Sequence, residues 1–166
     1  MRSLSRIMAV GCTLLGCVGC DQASKSAARV WLAAGTPHSY IGDSLRLELV
    51  QNPGSFLSLG ASLPPQLRFA VFTGAVGLVL AVLAGAAFFA TGLDRRRCVA
   101  LAMLAGGGAG NLIDRIFHDG RVTDFLNLGL GTLRTGIFNI ADMAILGGAI
   151  LLMLGRRESA PPRLDP

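Results

Sequence analysis

The sequence predicts an all-α membrane protein with four transmembrane helices and a small extracytoplasmic β-rich segment. Of its 166 residues, 52% are hydrophobic and 15% are charged, whereas a soluble domain usually carries about 25% charged residues. The few charges leave long apolar intervals between them, and many of the arginines gather in short segments. This composition excludes an ordinary water-soluble domain and a disordered chain.

The intervals between charges locate the helices, because a helix needs about 20 apolar residues to cross a hydrocarbon core about 30 Å thick. We expect spans at about residues 7–33, 69–91, 98–113 and 137–154. The first contains Asp21 and Lys25, which are four residues apart and would pair on one helix face. The third is short but rich in small residues, and Asp142 is the charge that interrupts the fourth.

Basic residues are concentrated at the N-terminus, between the second and third spans, and at the C-terminus. They are Arg2 and Arg6, Arg95 to Arg97, and Arg156, Arg157 and Arg163. Four spans put these three segments on one side of the membrane, and the positive-inside rule makes that side cytoplasmic. Both termini are therefore predicted to be cytoplasmic.

Two longer segments, about 35–66 and 114–136, fall on the opposite side. In the first, leucines at residues 45–49 alternate with polar residues, a period of two that is typical of a strand, and a turn follows at residues 52–54. The second segment, with its leucines and glycines, suits either a short hairpin or a loop lying on the membrane surface.

We expect a single membrane-embedded domain over residues 1–158 and a disordered cytoplasmic tail over residues 159–166. The net charge of +5 does not indicate a nucleic-acid partner, because the arginines form no continuous stripe that could follow a phosphate backbone. The cysteines lie in apolar stretches without histidine partners, which indicates neither disulfides nor a metal site. They are Cys12, Cys17, Cys20 and Cys98.

Two aspartates lie among apolar residues, where a charged side chain is energetically costly. Asp142 lies in the apolar run 137–145, with Asn139 three residues earlier, and charged side chains inside spans usually mark function. Asp124 is flanked by apolar residues close to the outer mouth. Two carboxylates at one site share a proton, so one can deprotonate a water while the other protonates a substrate carbonyl or leaving amine. The pair Asp124 and Asp142 therefore predicts peptide hydrolysis.

The third span ends in a glycine-rich stretch followed by polar residues. Gly106 and Gly110 form a small-xxx-small pattern, which lets helices approach closely. Asn111, Asp114 and Arg115 follow at the membrane rim, where polar side chains are costly unless they bind something. A structural pairing of Asp114 is as reasonable as a functional role, whereas Asn111 and Arg115 are expected to face a ligand.

Five short motifs occur along the predicted layout of four helices. They are Asp21–Lys25, Gln51–Gly54, Gly110–Arg115, Val122–Phe125 and Phe138–Asp142. Each is weak alone, but the five in this order are specific, and through them nearly the whole chain resembles the bacterial lipoprotein signal peptidases, signal peptidase II. One motif departs from the family: it continues as Ser55-Phe-Leu-Ser58 where many members have Ala-Ala-Phe, so this turn need not keep the family's shape.

The resemblance implies a membrane aspartyl endopeptidase that removes signal peptides from bacterial prolipoproteins, cutting just before a diacylglyceryl-modified cysteine. It implies a multi-pass protein of the bacterial cytoplasmic (inner) membrane, with its active site near the outer face and an extracytoplasmic β-sheet cradle. The implied partners are diacylated prolipoproteins and membrane lipid. We expect a monomer without cofactor or metal.

The resemblance also assigns the site residues. Asp124 and Asp142 correspond to the family's catalytic pair. The residues implied to bind or orient substrate are Asn52, Gly54, Asn111, Arg115 and Asn139. Asp21 and Lys25 are implied to be structural or adjacent to substrate.

Two other functions compete with this interpretation. A transporter or channel component would use Asp142 as an intramembrane ion site, but the inner halves of the spans carry no further acidic residue. A lipoprotein anchored at Cys17 is the second, because Leu14–Cys17 resembles the sequence that such peptidases cut. An anchored lipoprotein would not need three further spans.

Overall fold

Four helices and a four-stranded sheet make up the part of the chain that the computed structural model describes, which is residues 4–32, 36–53 and 64–154. The helices are α1 (Leu4–Trp31), α2 (Pro65–Phe89), α3 (Arg95–Phe117) and α4 (Ile140–Met153). The strands are β1 (His38–Tyr40), β2 (Leu45–Asn52), β3 (Val122–Leu130) and β4 (Leu133–Arg134). The prediction of a mostly helical chain with a small β segment is confirmed. The predicted tail at 159–166 and the turn residue Gly54 lie outside the described residues.

Within the described chain, helices α1 and α2 are long and apolar enough to cross a membrane. The qualifying segments are Leu4–Trp31 and Phe69–Phe89, close to the first two predicted spans. Helix α3 has 23 residues and extends beyond the third predicted span at both ends. Helix α4 has 14 residues, a length of about 21 Å, and begins three residues after the start of the fourth predicted span.

Large apolar side chains are exposed on the described helices, while several charged and polar side chains are buried. On α2, Leu78 is 67% exposed and Val82 is 62% exposed. The largest fully buried side chains include Lys25, Asn139 and Asp21, beside a smaller apolar core that contains Val10 and Cys98. Fully buried charges are rare in a soluble domain, and an apolar exterior is consistent with a protein whose outer surface faces hydrocarbon.

Helix α3 lies at the centre of the bundle and packs against α1, α2 and α4. Its packing faces are made of small residues. A Cβ at Gly106 would lie 2.8 Å from the Cβ of Cys17 on α1, and a Cβ at Gly107 would lie 2.5 Å from the carbonyl oxygen of Ala141 on α4. At Gly110 a Cβ would lie 2.5 Å from Oδ2 of Asp21 on α1, so the predicted role of Gly106 and Gly110 in close helix packing is confirmed. Close packing brings the polar side chains of α1 and α4 to those of α3.

The start of α4 is fixed by Asn139. The side-chain oxygen of Asn139 accepts a hydrogen bond from the backbone N–H of Asp142 at 3.0 Å, and the Asp142 carboxylate accepts one from the backbone N–H of Asn139 at 3.1 Å. This reciprocal arrangement is a capping box. Asp142 therefore lies in the first turn of the helix, with its carboxylate at the helix N-terminus.

The sheet has the strand order β1-β2-β3-β4, and neighbouring strands are antiparallel. Strand β2 is the one that the alternation at 45–49 predicted, and it ends at Asn52. The second outer segment forms the β3–β4 hairpin rather than a loop. Val50 pairs with Asp124, and Asn52 pairs with Val122. This register brings the end of β2 alongside Asp124.

Candidate active site

Asp124 is buried on β3, and both of its carboxylate oxygens accept hydrogen bonds. The residue is 3% exposed. Its Oδ1 accepts from Nδ2 of Asn139 at 2.6 Å, and its Oδ2 accepts from Nδ2 of Asn52 at 2.9 Å. Burial raises the pKa of the Asp124 carboxyl and the charge of Asp142 adds to the rise, which together outweigh the lowering by the two amide donors. Asp124 therefore keeps its proton to a higher pH than an exposed aspartate does.

Asp142 belongs to the same site but comes from α4. Its Oδ1 accepts from Nδ2 of Asn111 at 2.9 Å, and its Oδ2 accepts from the backbone N–H of Asn139 at 3.1 Å. The N-terminal end of a helix carries a partial positive charge, which favours an anion there. Asp142 is half-buried, so it is the more solvent-accessible of the two carboxyl groups.

Two asparagines connect the carboxyl groups. Asn139 donates through Nδ2 to Asp124 and, at 3.1 Å, to Oδ1 of Asn111, while its own Oδ1 accepts the backbone N–H of Asp142. Asn111 in turn donates to Asp142. The structure thus brings together five predicted site residues from β2, α3, β3 and the start of α4. These are Asn52, Asn111, Asp124, Asn139 and Asp142.

Arg115 lies one helical turn beyond Asn111 on α3 and is half-buried. Its Nη1 lies 3.4 Å from the carbonyl oxygen of Asn111. Its positive charge acts on Asp124 and Asp142, but within the described part of the chain the guanidinium forms no ion pair with either carboxylate. The cation is therefore close to the pair without being bound to it. Gly54, the remaining predicted site residue, lies outside the described residues.

A buried ionic cluster lies behind the asparagines. Lys25 forms ion pairs with Asp21 at 2.8 Å and with Asp114 at 3.3 Å, and all three side chains are fully buried. The predicted pairing of Asp21 with Lys25 on one helix face is confirmed. Asp114, for which two roles were open at the sequence level, is bound within this cluster. Nζ of Lys25 also donates to Oδ1 of Asn111 at 2.9 Å, which connects the cluster to the carboxyl pair.

Asp21 also holds the start of α4. Its Oδ1 accepts the backbone N–H of Ala141 at 2.9 Å. The first four N–H groups of a helix have no acceptor inside the helix. Here Asp21 supplies one acceptor from α1, and the side chain of Asn139 supplies another for Asp142. Helix α1 thereby fixes the helix end that carries Asp142.

Three residues that the sequence did not predict join the ionic cluster: Gln22 and Arg29 on α1, and Thr123 on β3. The backbone N–H of Thr123 donates to Oδ2 of Asp114 at 2.8 Å. Arg29 forms an ion pair with Asp114 at 3.1 Å and donates to the Thr123 hydroxyl at 3.1 Å, and Gln22 donates to Asp114 at 3.3 Å. Arg29 lies four residues after Lys25, and this spacing was a usable signal. Thr123 shows no sequence signal beyond its place before Asp124.

This arrangement is suited to acid–base chemistry. Two carboxyl groups at one site hold one proton between them, and they can act on a water molecule and on a polarised carbonyl as base and acid. Across residues 4–32, 36–53 and 64–154, no group of three or more His, Cys, Asp or Glu side chains is placed to hold a metal ion.

The sequence is similar to proteins of one family over most of its length. A family model described as Signal peptidase (SPase) II matches residues 13–156. The chain is 39% identical to a lipoprotein signal peptidase of Paraburkholderia phymatum, over 80% of this chain and 78% of that protein. It is 31% identical to a lipoprotein signal peptidase of Mycobacterium avium, over 99% of this chain and 91% of that protein.

The fold is similar to that of a bacterial membrane enzyme whose structure was determined by the in meso method at 1.9 Å resolution. The TM-score is 0.69 at 24% sequence identity, and the match covers 90% of each chain. A second such structure, at 2.3 Å resolution, gives a TM-score of 0.65 at 24% identity. Since the sequence identity is low, these two matches concern the fold.

Proposed function

Because the chain belongs to the signal peptidase II family and is therefore a peptidase, we propose that it removes signal peptides from bacterial prolipoproteins by an aspartic mechanism. Asp124 and Asp142 are the catalytic pair in this proposal. The substrate is a diacylated prolipoprotein, which is cut just before its lipid-modified cysteine. The similarities to known proteins give no support to a transporter or channel.

The observation that carries the proposal is the attachment of both aspartates to one asparagine. Asp124 and Asp142 come from a strand and a helix, yet Asn139 donates to the first and caps the helix of the second. A structural ion pair would need a cation between the carboxylates. Neutral amides occupy that place instead, and amides orient carboxyl groups without neutralising them.

The surroundings of the two carboxyl groups indicate which one acts as the acid and which one as the base. In this proposal buried Asp124, whose pKa is raised by burial, is the acid, and Asp142, which is more exposed and lies at the N-terminal end of a helix, is the base. Asp142 removes a proton from a water as the water oxygen attacks the scissile carbonyl carbon, and Asp124 donates its proton to the carbonyl oxygen. When the C–N bond breaks, the proton on Asp142 passes to the leaving amine, and the carboxylate of Asp124 takes back a proton from a hydroxyl of the tetrahedral intermediate as it collapses to the carboxylic acid.

The direct test is cleavage of a purified diacylated prolipoprotein by the purified full chain in the presence of a chelator. We expect release of the signal peptide at the bond before the lipidated cysteine. The same prolipoprotein without its diacylglyceryl group is the matched substrate control and should be cut more slowly. Chelator-sensitive cleavage would contradict the aspartic mechanism, and no cleavage of either substrate would contradict the proposed function.

Arg115 is proposed to bind substrate rather than to move protons, since its guanidinium is near the carboxyl pair without contacting it. Arg115→Lys keeps the charge but loses the planar fork of donors. We expect this variant to raise KM for the prolipoprotein more than it lowers kcat. Steady-state kinetics measure both. An equal fall in kcat and kcat/KM would instead assign Arg115 to the transition state.

We propose that all four helices span the membrane, with both termini in the cytoplasm, because basic residues cluster on one side of the predicted layout. A cysteine at Ser159, in a variant whose native cysteines are alanine, should react with an impermeant maleimide only after the cells are permeabilised. Ser39→Cys, in exposed strand β1, is the control and should react in intact cells. Labelling of the Ser159 position in intact cells would contradict the four-span topology.

A further inference from the structure

Lys25 uses its buried ammonium group for more than ion pairing. Nζ lies 2.8 Å from Oδ2 of Asp21 and 3.3 Å from Oδ2 of Asp114, and these two carboxylates are balanced by Lys25 together with Arg29. The third contact of Lys25 is to a neutral acceptor, Oδ1 of Asn111, at 2.9 Å. The hydrogen bond to Asn111 does not neutralise any charge. Its effect falls on the groups that Asn111 contacts.

The contact fixes which way the Asn111 amide faces. An ammonium group only donates hydrogen bonds, so the Asn111 atom that faces Lys25 has to be the oxygen. Nδ2 of Asn139 donates to the same oxygen at 3.1 Å. Because the amide group is planar, its nitrogen then points the other way, and it donates to Oδ1 of Asp142 at 2.9 Å.

A flipped Asn111 would present its oxygen to Asp142. Two acceptors cannot bond unless one of them carries a proton, so the flipped amide would favour protonated Asp142, whereas the observed amide favours the ionised form. We propose that Lys25 is a positioning residue that acts through Asn111 and makes Asp142 the base of the catalytic pair. This inference rests on the proposed roles of Asp124 and Asp142.

Other charged groups lie on the elements that surround the site of Asp142. Helix α1 contributes Asp21 and Lys25, α3 contributes Asp114 and Arg115, and β3 contributes Asp124. Arg115 and Asp124 act on Asp142 through space, and Asp21 reaches its helix through the backbone of Ala141. Of the two cations, Lys25 differs from Arg115 because the side-chain amide of Asn111 transmits its effect to Asp142.

The test is the acid limb of the pH profile of kcat/KM. Lys25→Met removes the donor, and we expect the half-maximal pH on the acid side to rise by about one pH unit or more, because the base is then ionised only at higher pH. Lys25→Met leaves buried Asp21 without its cation and Asp114 with Arg29 alone, and it risks misfolding. The double variant Lys25→Met with Asp21→Asn keeps the net charge of the cluster and should show the same rise.

Arg29→Gln is the matched control. It removes another cation from the same cluster, one that contacts Asp114 and Thr123 but not Asn111. We expect it to lower the melting temperature without moving the half-maximal pH. An equal rise in the Arg29 variant would mean that any lost positive charge has this effect, and it would overturn the proposal.

The route through Asn111 is tested in an Asn111→Ala background. That substitution alone should raise the half-maximal pH, and adding Lys25→Met should raise it no further, because the two changes break the same connection. Additive rises would show that Lys25 acts directly on the carboxyl pair, and an unchanged profile in the Lys25 variants would show a purely structural role. Either result overturns the proposal.

A readout without catalysis separates this proposal from the proposed function. The ¹³C-labelled carboxyl of Asp142 is titrated by NMR in an Asp124→Asn chain, with and without the Lys25→Met and Asp21→Asn changes. We expect protonation of Asp142 at higher pH when Lys25 is replaced. If the titration is the same in both chains, the positioning role is wrong, whatever the peptidase assay gives. If it moves but the wild-type chain cleaves no prolipoprotein, the proposed function alone fails.

Discussion

Asp124→Asn and Asp142→Asn are each expected to lower the turnover of a diacylated prolipoprotein by about a thousandfold or more. Each substitution keeps nearly the same volume but removes the acid or the base of the proposed pair. The double variant should lose little more than either single variant, because one missing member already disables the unit. Single-turnover cleavage by purified variants measures these losses.

The pH dependence of the wild-type chain belongs to the same prediction. The profile should be bell-shaped, with limbs that describe the pair rather than either residue. Its alkaline limb should lie above the ordinary range of an aspartate, since burial at Asp124 helps the pair to retain its shared proton and the reaction needs that proton. Asp119→Asn, in the exposed turn between α3 and β3, is the matched control and should retain cleavage. Substantial cleavage by Asp142→Asn would rule out the pair.

Gly110→Ala is expected to abolish cleavage by a different route. A Cβ at this position would lie 2.5 Å from Oδ2 and 3.0 Å from Cγ of Asp21. Asp21 cannot move away without breaking its contacts, because one carboxylate oxygen is bound by Lys25 and the other by the backbone N–H of Ala141. Overpacking costs about 1–3 kcal/mol, and breaking a buried ion pair costs about 3–5 kcal/mol. Thermal melting in detergent and the cleavage assay should both show the loss.

Gly74→Ala is the control for the Gly110 variant. Gly74 also lies inside a long helix, but a Cβ there would meet no atom within 4 Å. Alanine in a helix interior is favoured over glycine by about 0.5–1 kcal/mol, so this variant should melt no lower than the wild type. If Gly110→Ala also melts and cleaves as the wild type does, the ionic cluster does not support the site as described.

Much of the site could be predicted because its charged residues lie in apolar stretches, where a charge without a partner costs free energy. Asp142 interrupts an apolar run and Asp124 is flanked by apolar residues, so each called for a partner. The pairing of Asp21 with Lys25 followed from helical spacing. The strand at 45–49 followed from alternation, although all of β2 up to Val50 is half-buried and neither of its faces is distinctly open.

The remainder depends on contacts between distant parts of the chain, which no local pattern encodes. The bond from Asp21 to Ala141 and that from Thr123 to Asp114 join segments that are far apart in sequence or separated by a turn. The second outer segment could not be resolved between hairpin and loop, because its strand β3 is held by β2 as well as by its own hairpin. The helix-capping role of Asn139 could not be predicted, because the apolar residues on both sides of it do not show where the helix begins.

The two carboxyl groups of the proposed pair come from different parts of the fold, and this determines when a newly made chain has both of them in place. Asp142 lies on helix α4, whereas Asp124 lies on strand β3. Strand β3 is held in place by its pairing with β2 and by hydrogen bonds to Asp114 and Asn139. A newly inserted chain whose helices have packed, but whose sheet has not yet docked, holds half of the proposed machinery. In the proposed mechanism such a chain lacks its acid, so cleavage can begin only when strand β3 has docked against the helices.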